Sequence, residues 1–136
     1  MTRRILLVED NAGDAQLMRI AFAEALPDAR LSVVADGETA VRTLLAGGDP
    51  PDLVLLDLNL PRLSGHEVLA SVRAAPDPAV RRVPVVVLSS SRAATDVERS
   101  YELGAASHIA KPQDMDELTA VAEAIARYWF ATVTLP

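Results

Sequence analysis

Four clusters of polar side chains follow four apolar, strand-like runs in this chain of 136 residues. The runs are 5–8, 53–56, 84–88 and 107–110. The polar residues that follow them are, in the same order, Glu9 with Asp10, Asp57, the three serines 89–91, and Lys111 with Pro112. If the runs are parallel strands, their carboxyl ends share one edge of a sheet. Three carboxylates, a hydroxyl and an ammonium group would then converge at that edge.

This set of groups suits phosphoryl chemistry with a divalent cation. Carboxylates held a few ångströms apart repel one another, and a bound cation relieves the repulsion. Mg²⁺ is the natural candidate because it prefers oxygen ligands and is typically bound through one or two carboxylates plus phosphate oxygens. The chain has no cysteine and only two histidines, far apart in sequence, so softer metals lack ligands. A lysine and a hydroxyl at the same edge provide the positive charge and donors that a phosphoryl group requires.

The segments between the runs have helical periodicity and predict the scaffold that positions these groups. A further strand is expected over 31–34, and five helices are expected over 14–26, 38–46, 64–74, 94–103 and from 114 onward. Five strands alternating with five helices predict an α/β fold, a doubly wound (βα)5 parallel sheet of flavodoxin-like type covered on both faces. In the strand order 2-1-3-4-5, strands 1 and 3 are neighbours at the switch point, where a ligand crevice opens.

Composition narrows the class of protein. A chain of this length that is 50% hydrophobic suits one globular domain. The net charge of −6 argues against a duplex-DNA surface, which needs clustered basic residues, so nucleic acid is not an expected partner. The absence of cysteine excludes disulfides and thiolate chemistry. No apolar stretch approaches the ~20 residues that span a bilayer, so we expect no membrane segment and a cytoplasmic setting.

At these motifs the chain resembles the receiver domains of two-component response regulators, over essentially its whole length. The acidic pair, the block from Asp57 to Gly65, the hydroxyl of Ser89 and the Lys111-Pro112 pair occur in the family's order and at similar spacing. The resemblance implies a receiver domain over 1–130, a C-terminal tail over 131–136 and no output domain.

The resemblance also implies a role for each site residue. Asp57 would be the phosphoacceptor, taking a phosphoryl group from a phosphohistidine of a sensor histidine kinase. Asp10 and Asp57 would ligate Mg²⁺ together with the backbone carbonyl of Asn59, and Glu9 would act through a bound water. The Mg²⁺ site would assist both transfer to Asp57 and later hydrolysis of the acyl phosphate.

Two further residues would respond to the phosphoryl group. Lys111 would pair with its oxygens, and Ser89 would move toward them, which reorganises the loop into the fourth predicted helix. The resemblance implies a cis peptide between Lys111 and Pro112, a state that proline makes accessible at about 0.5–1 kcal/mol.

Three positions distinguish this chain within that pattern. His108 occupies the family's switch position, which is commonly Tyr or Phe, and this departure puts the usual aromatic rotamer switch in doubt. Asn59 and Ser91 occupy positions that tune the phosphoryl lifetime in the family. His66, just past Gly65, is expected to face solvent and is given no role.

The C-terminal region concentrates aromatic side chains at Tyr128, Trp129 and Phe130. Trp129 fits the core face of the last predicted helix, and its two neighbours cannot share that face because adjacent helical residues project about 100° apart. We therefore expect an exposed aromatic surface that forms a homodimer. This region and residues 8–14 resemble the small single-domain regulators that accompany bacterial phytochrome histidine kinases, which implies such a kinase as the partner.

Other functions remain open from the residues alone. Each cluster by itself has a structural explanation, as a solvated strand end or a serine helix cap. A Mg²⁺-dependent phosphohydrolase with an aspartyl nucleophile is one alternative, although Asp57 lacks a second acid two residues on for leaving-group protonation. A receiver-like scaffold that is never phosphorylated is another. The four clusters together favour the phosphoacceptor, which signals through protein contacts and is not a turnover enzyme.

Overall fold

The computed structural model describes residues 2–136 and consists of five strands and six helices over that range. The strands are β1 (Arg4–Val8), β2 (Arg30–Val34), β3 (Leu53–Leu56), β4 (Val85–Ser89) and β5 (Ser107–Ala110). The helices are α1 (Ala12–Ala25), α2 (Gly37–Leu45), α3 (Gly65–Arg73), α4 (Pro78–Arg81), α5 (Ala94–Glu102) and α6 (Met115–Ala131).

All neighbouring strands pair in parallel, in the order β2-β1-β3-β4-β5. The three central strands are almost entirely buried, whereas β2 and β5 at the two edges are partly exposed. Val8 and Leu56, the last residues of β1 and β3, are paired in register, so both strands end at the same level. The predicted fold class and strand order are confirmed.

Alternate side chains of the sheet enter two separate cores, as the two-residue period of a strand requires. One core lies between the sheet and α2 and α3 and includes Val54, Leu56 and Leu69. The other lies between the sheet and α1 and α6 and includes Leu55 and Phe22. Helices therefore cover both faces of the sheet.

The number of helices differs from the prediction. The sequence predicts neither a helix nor a strand between the helix over 64–74 and the run 84–88, but a single helical turn, α4, begins at Pro78. Proline is favoured at the first position of a helix because that position needs no backbone N–H donor, and the side chain of Asp77 caps the turn by accepting from the backbone N–H of Ala79 at 3.0 Å. The last helix, α6, ends at Ala131. Within the described range, none of the helices has the length and apolar character needed to cross a membrane.

Candidate functional site

The acidic residues meet where β1 and β3 end. Asp57 follows β3 directly, and its backbone N–H donates to the carbonyl of Val8 at 3.1 Å, which holds the two strand ends together. One carboxylate oxygen each from Glu9, Asp10 and Asp57 lie within 4.8 Å of one another. Glu9 and Asp57 are buried, and Asp10 is exposed. The parallel sheet therefore brings together the three carboxylates that the sequence predicted.

Lys111 follows β5, an edge strand of the sheet, and its side chain reaches this cluster at the carboxyl edge. Its backbone N–H donates to the carbonyl of Ser89 at 2.8 Å, which extends the β4–β5 pairing past the end of the strand. Its side chain, 17% exposed, places the Nζ atom in an ion pair with Glu9 and 3.1 Å from Oδ2 of Asp57. Nζ also lies 3.2 Å from Oδ2 of Asp14, a contact that the sequence did not predict.

The protonation behaviour of the site follows from this burial. Burial is the largest influence on Glu9 and raises its pKa to about 7, against the opposing hydrogen bond and charge of Lys111. Burial of Lys111 by itself lowers the pKa of its ammonium group, but the hydrogen bond to Glu9 and the charges of Asp57 and Glu9 outweigh it and raise that pKa above its ordinary value. Lys111 therefore remains positively charged, whereas Glu9 titrates near neutral pH.

The loop after β3 fixes the position of Asp57. The backbone N–H of Asn59 donates to Oδ1 of Asp57 at 3.2 Å. Gly65, at the start of α3, packs directly on this loop, because a Cβ atom there would lie 2.3 Å from the carbonyl oxygen of Asp57. Ser64 and Glu67 form a reciprocal capping box that begins α3 at this point. The carbonyl of Asn59 as a metal ligand stays a prediction.

The serines after β4 form a second polar group at the same edge. Ser89 is fully buried, and its Oγ accepts from the backbone N–H of Ser91 at 3.2 Å. The hydroxyl of Ser91 donates to the carboxylate of Asp96 in α5. The alternative explanation, that a serine caps this helix, does not hold, because the residue at the cap position is Ala93, which makes no side-chain cap.

His66 and His108 are joined through one hydroxyl. Oγ of Ser100, a fully buried residue of α5, lies 3.1 Å from Nε2 of His66 and 3.0 Å from Nδ1 of His108. Nε2 of His108 lies 3.3 Å from the carbonyl oxygen of Ser91 and must carry a proton to donate to it, since a carbonyl can only accept. The expectation that His66 faces solvent is wrong. The network ties α3, α5, β5 and the loop after β4 together.

The peptide between Lys111 and Pro112 is trans, and no peptide bond in residues 2–136 is cis. The expected cis state is therefore wrong for this structure. The trans isomer is the ground state of most bonds before proline, favoured by about 0.5–1 kcal/mol.

The C-terminal aromatic residues are only partly exposed. Tyr128 is 53% exposed, but Trp129 and Phe130 pack against the core formed with α1 and α6. The rings of Tyr128 and Trp129 meet edge to face with centroids 5.3 Å apart, and the guanidinium of Arg3 lies 5.8 Å from the ring centroid of Phe130. The exposed aromatic surface is thus smaller than the sequence indicated and centres on Tyr128.

The donor set of the site fits a hard divalent cation. Three carboxylates lie within reach of one ion, and neither cysteine nor histidine contributes to the cluster. Oxygen ligands of this kind are those that Mg²⁺ and Mn²⁺ prefer. Because Lys111 already offsets part of the negative charge, the cation would compete with its ammonium group for Glu9 and Asp57.

A parallel five-stranded fold with an acidic cluster, a lysine and a buried serine at its carboxyl edge defines a class of phosphoryl-accepting signalling domains. The family model for the response regulator receiver domain matches residues 5–123, and the chain therefore belongs to that family.

Similar proteins narrow the class further. Response regulator Rcp1 of Synechocystis sp. is 39% identical over 137 residues, which cover 97% of this chain and 92% of that protein. The phosphorylated cyanobacterial phytochrome response regulator RcpA has a TM-score of 0.91 and 38% identity, covering 100% of this chain and 99% of that one. The Mn²⁺-bound form of Rcp1 has a TM-score of 0.86 and 37% identity, covering 98% and 99% of the two chains. The chain is therefore a response regulator receiver similar to phytochrome response regulators.

Proposed function

We propose that this receiver takes a phosphoryl group from a sensor histidine kinase and that Asp57 is the acceptor. The observation that carries the proposal is the convergence on Asp57 of Glu9, Asp10 and the ammonium group of Lys111, whose Nζ lies 3.1 Å from Oδ2 of Asp57. A buried carboxylate beside a positive charge is a competent nucleophile for phosphoryl transfer.

The transfer is a displacement at phosphorus. A carboxylate oxygen of Asp57 forms the new P–O bond while the P–N bond of the phosphohistidine breaks. The electron pair of that bond stays on the departing imidazole nitrogen, which takes up a proton. The ammonium group of Lys111 offsets negative charge on the equatorial phosphoryl oxygens. Attack of water on the same phosphorus breaks the P–O bond to Asp57 and releases inorganic phosphate. Asp57 returns to a free carboxylate, and this autodephosphorylation ends the signal.

Glu9, Asp10, Asp57 and the backbone carbonyl of Asn59 are the residues that would hold Mg²⁺, in keeping with their exclusively oxygen donors. The bound cation would supply further positive charge to the phosphoryl oxygens. Mn²⁺ in the similar protein Rcp1 supports a divalent cation, and Mg²⁺ is the ion we propose here.

Signalling would proceed through the loop after β4. The phosphoryl group adds ~1.5–2 negative charges and strong acceptors, which attract the hydroxyl of Ser89. That hydroxyl now accepts from the backbone of Ser91, so its movement disturbs the loop that leads into α5. His108 contacts the same loop through the carbonyl of Ser91 and takes the place of an aromatic switch residue. The altered surface of α5, β5 and α6 would bind a downstream protein.

The kinase that we propose as the partner is a bacterial phytochrome. The support is the similarity to the phytochrome response regulator RcpA over the full length of this chain. The test is transfer of radiolabelled phosphoryl from an autophosphorylated phytochrome histidine kinase, with a kinase of unrelated sensor type as the control. Rapid transfer from the phytochrome kinase alone supports this partner. Equal transfer from both kinases would support the receiver chemistry and contradict the phytochrome specificity.

We also propose a homodimer formed through α6 and the C-terminal tail. The support is Tyr128, a large and 53% exposed side chain at the end of that helix, beside the half-buried Trp129 and Phe130. Sedimentation equilibrium at high micromolar concentration should give a dimeric mass that Tyr128→Ala weakens. The matched control is Tyr101→Ala, which removes a similarly exposed tyrosine from α5. A monomeric mass for the wild type would contradict the dimer.

A further inference from the structure

Lys111 uses all of its hydrogen-bonding capacity on carboxylates. It is the chain's only lysine, and its ammonium group has three protons and no acceptor. Nζ donates to Glu9, to Oδ2 of Asp57 at 3.1 Å and to Oδ2 of Asp14 at 3.2 Å. A fourth acceptor, such as a phosphoryl oxygen, can therefore bind the ammonium group only after one of these three carboxylates is displaced.

Asp14 differs from the other two acceptors in place and surroundings. It lies in the first turn of α1, where its backbone N–H donates to the capping side chain of Asn11 at 2.8 Å. Its side chain is 43% exposed, whereas those of Glu9 and Asp57 are buried. It is also outside the cluster of three carboxylates that could share one cation. Lys111 is the only ionic partner that its carboxylate has among the described residues.

We infer that Asp14 is a positioning residue that holds the third N–H of Lys111 until a phosphoryl oxygen replaces it. The inference rests on the proposed phosphorylation of Asp57. An ion pair with an exposed partner is weaker than one with a buried partner, because water screens it and solvates the released carboxylate. Asp14 is therefore the carboxylate that gives way most readily to a phosphoryl oxygen, and the loss of its ion pair with Lys111 is a cost that opposes phosphorylation.

The size of the effect follows from the strength of such a pair. Partly exposed ion pairs contribute about 0.2–1 kcal/mol, which corresponds to a change of about 1.5- to 5-fold in rate. Removing the charge of Asp14 should accelerate phosphorylation by that factor, since one N–H of Lys111 is then free for the incoming group. The fold should be unaffected, because the helix cap is Asn11 and the Asp14 side chain makes no other hydrogen bond in residues 2–136.

The experiment measures the phosphorylation rate by intact mass, with Mg²⁺ and acetyl phosphate, for wild type, Asp14→Asn and Asp28→Asn. Asp28 is an exposed acid in the turn between α1 and β2, at the opposite edge of the sheet, so the control makes the same change in net charge. We expect a rate about 1.5- to 5-fold above wild type for Asp14→Asn and an unchanged rate for Asp28→Asn. An unchanged or slower rate for Asp14→Asn, or equal acceleration in both variants, overturns the inference.

A second pair of variants separates displacement at Lys111 from simple repulsion of an anionic donor. In a Lys111→Met background, Asp14→Asn should change the rate no more than Asp28→Asn does, because no ammonium group is left to release. The same acceleration without Lys111 would show that Asp14 acts by repulsion alone and would overturn the positioning role. If wild type itself acquires no phosphoryl group, the proposed function fails. If wild type reacts and Asp14→Asn matches it, only this inference fails.

Discussion

Replacing Lys111 with methionine should destabilise the metal-free protein in a pH-dependent way. Methionine keeps most of the apolar stem but removes the charge that serves three carboxylates, two of them buried. Removing one partner of a buried ion pair costs about 3–5 kcal/mol, because the other partner is left buried and unpaired. We expect a loss of that size in the free energy of unfolding at pH 8.

The loss should shrink as the pH falls, because Glu9 can then take up a proton. The pKa of Glu9 is already about 7 in the folded protein, above its ordinary value of 4.5, and removing Lys111 raises it further. An acid whose folded pKa lies above its unfolded pKa binds more protons when folded, so stability is greatest at low pH and declines as the pH rises. Below pH 7 Glu9 is protonated in the folded wild type as well, so the difference between the two proteins shrinks only between pH 8 and about 7. At up to ~1.4 kcal/mol per pH unit, the loss should be about 2–4 kcal/mol at pH 5.

Urea unfolding followed by the fluorescence of the single tryptophan, Trp129, measures both values. Mg²⁺ should restore stability to the variant, by about 2.7 kcal/mol at 100 times its Kd, because the ion replaces the lost positive charge. The control is Arg42→Met, which removes one positive charge from an exposed pair with Glu38 and should cost at most about 1 kcal/mol at either pH. Two results would refute the ion pairing of Lys111 with buried carboxylates: a Lys111→Met variant as stable as wild type at pH 8, or a loss of stability that is the same at pH 5 as at pH 8.

Three further predictions follow from other contacts. Gly65→Ala should destabilise the fold by about 1–3 kcal/mol and slow phosphorylation, because its Cβ would lie 2.3 Å from the carbonyl oxygen of Asp57. A free energy of unfolding and a phosphorylation rate unchanged from wild type would rule out this close packing. Ser100→Ala should cost about 1–3 kcal/mol in urea unfolding, since a buried hydroxyl that bridges two imidazole rings is lost; a stability equal to wild type would mean that the bridge contributes nothing. Glu9→Gln removes an acid whose pKa is raised to about 7 by burial. In Mg²⁺-free buffer the variant should therefore gain stability relative to wild type as the pH rises from 4.5 through 7, by up to roughly 3 kcal/mol. A difference in stability that stays constant with pH would contradict that pKa.

The sequence predicted the sheet and its edge residues because both depend on simple periodic rules. Uninterrupted apolar runs identify buried parallel strands, and the residue after each strand must lie at the carboxyl edge. That rule placed Asp57 and Lys111 at the same edge, although they are 54 residues apart.

The contacts that the sequence missed depend on exact side-chain placement. Asp14 lies in the first turn of α1 and reaches Lys111, because α1 begins at Ala12, two residues before the predicted start. The sequence signal for this earlier start is Asn11, which caps the helix. The bridge from His66 through Ser100 to His108 joins residues of three separate elements, and no periodicity encodes such a meeting. These contacts depend on how the helices and strands pack against one another, and the periodicity of the sequence does not predict that packing.

Phosphorylation of Asp57 is tested most directly by the intact mass of the protein after incubation with Mg²⁺ and a small acyl phosphate donor, compared between wild type and Asp57→Asn. The amide keeps the shape of the side chain but cannot accept a phosphoryl group. One added phosphoryl group on wild type, and none on the variant, is the predicted result. Addition to both proteins would place the acceptor elsewhere, and addition to neither would contradict the phosphoacceptor function.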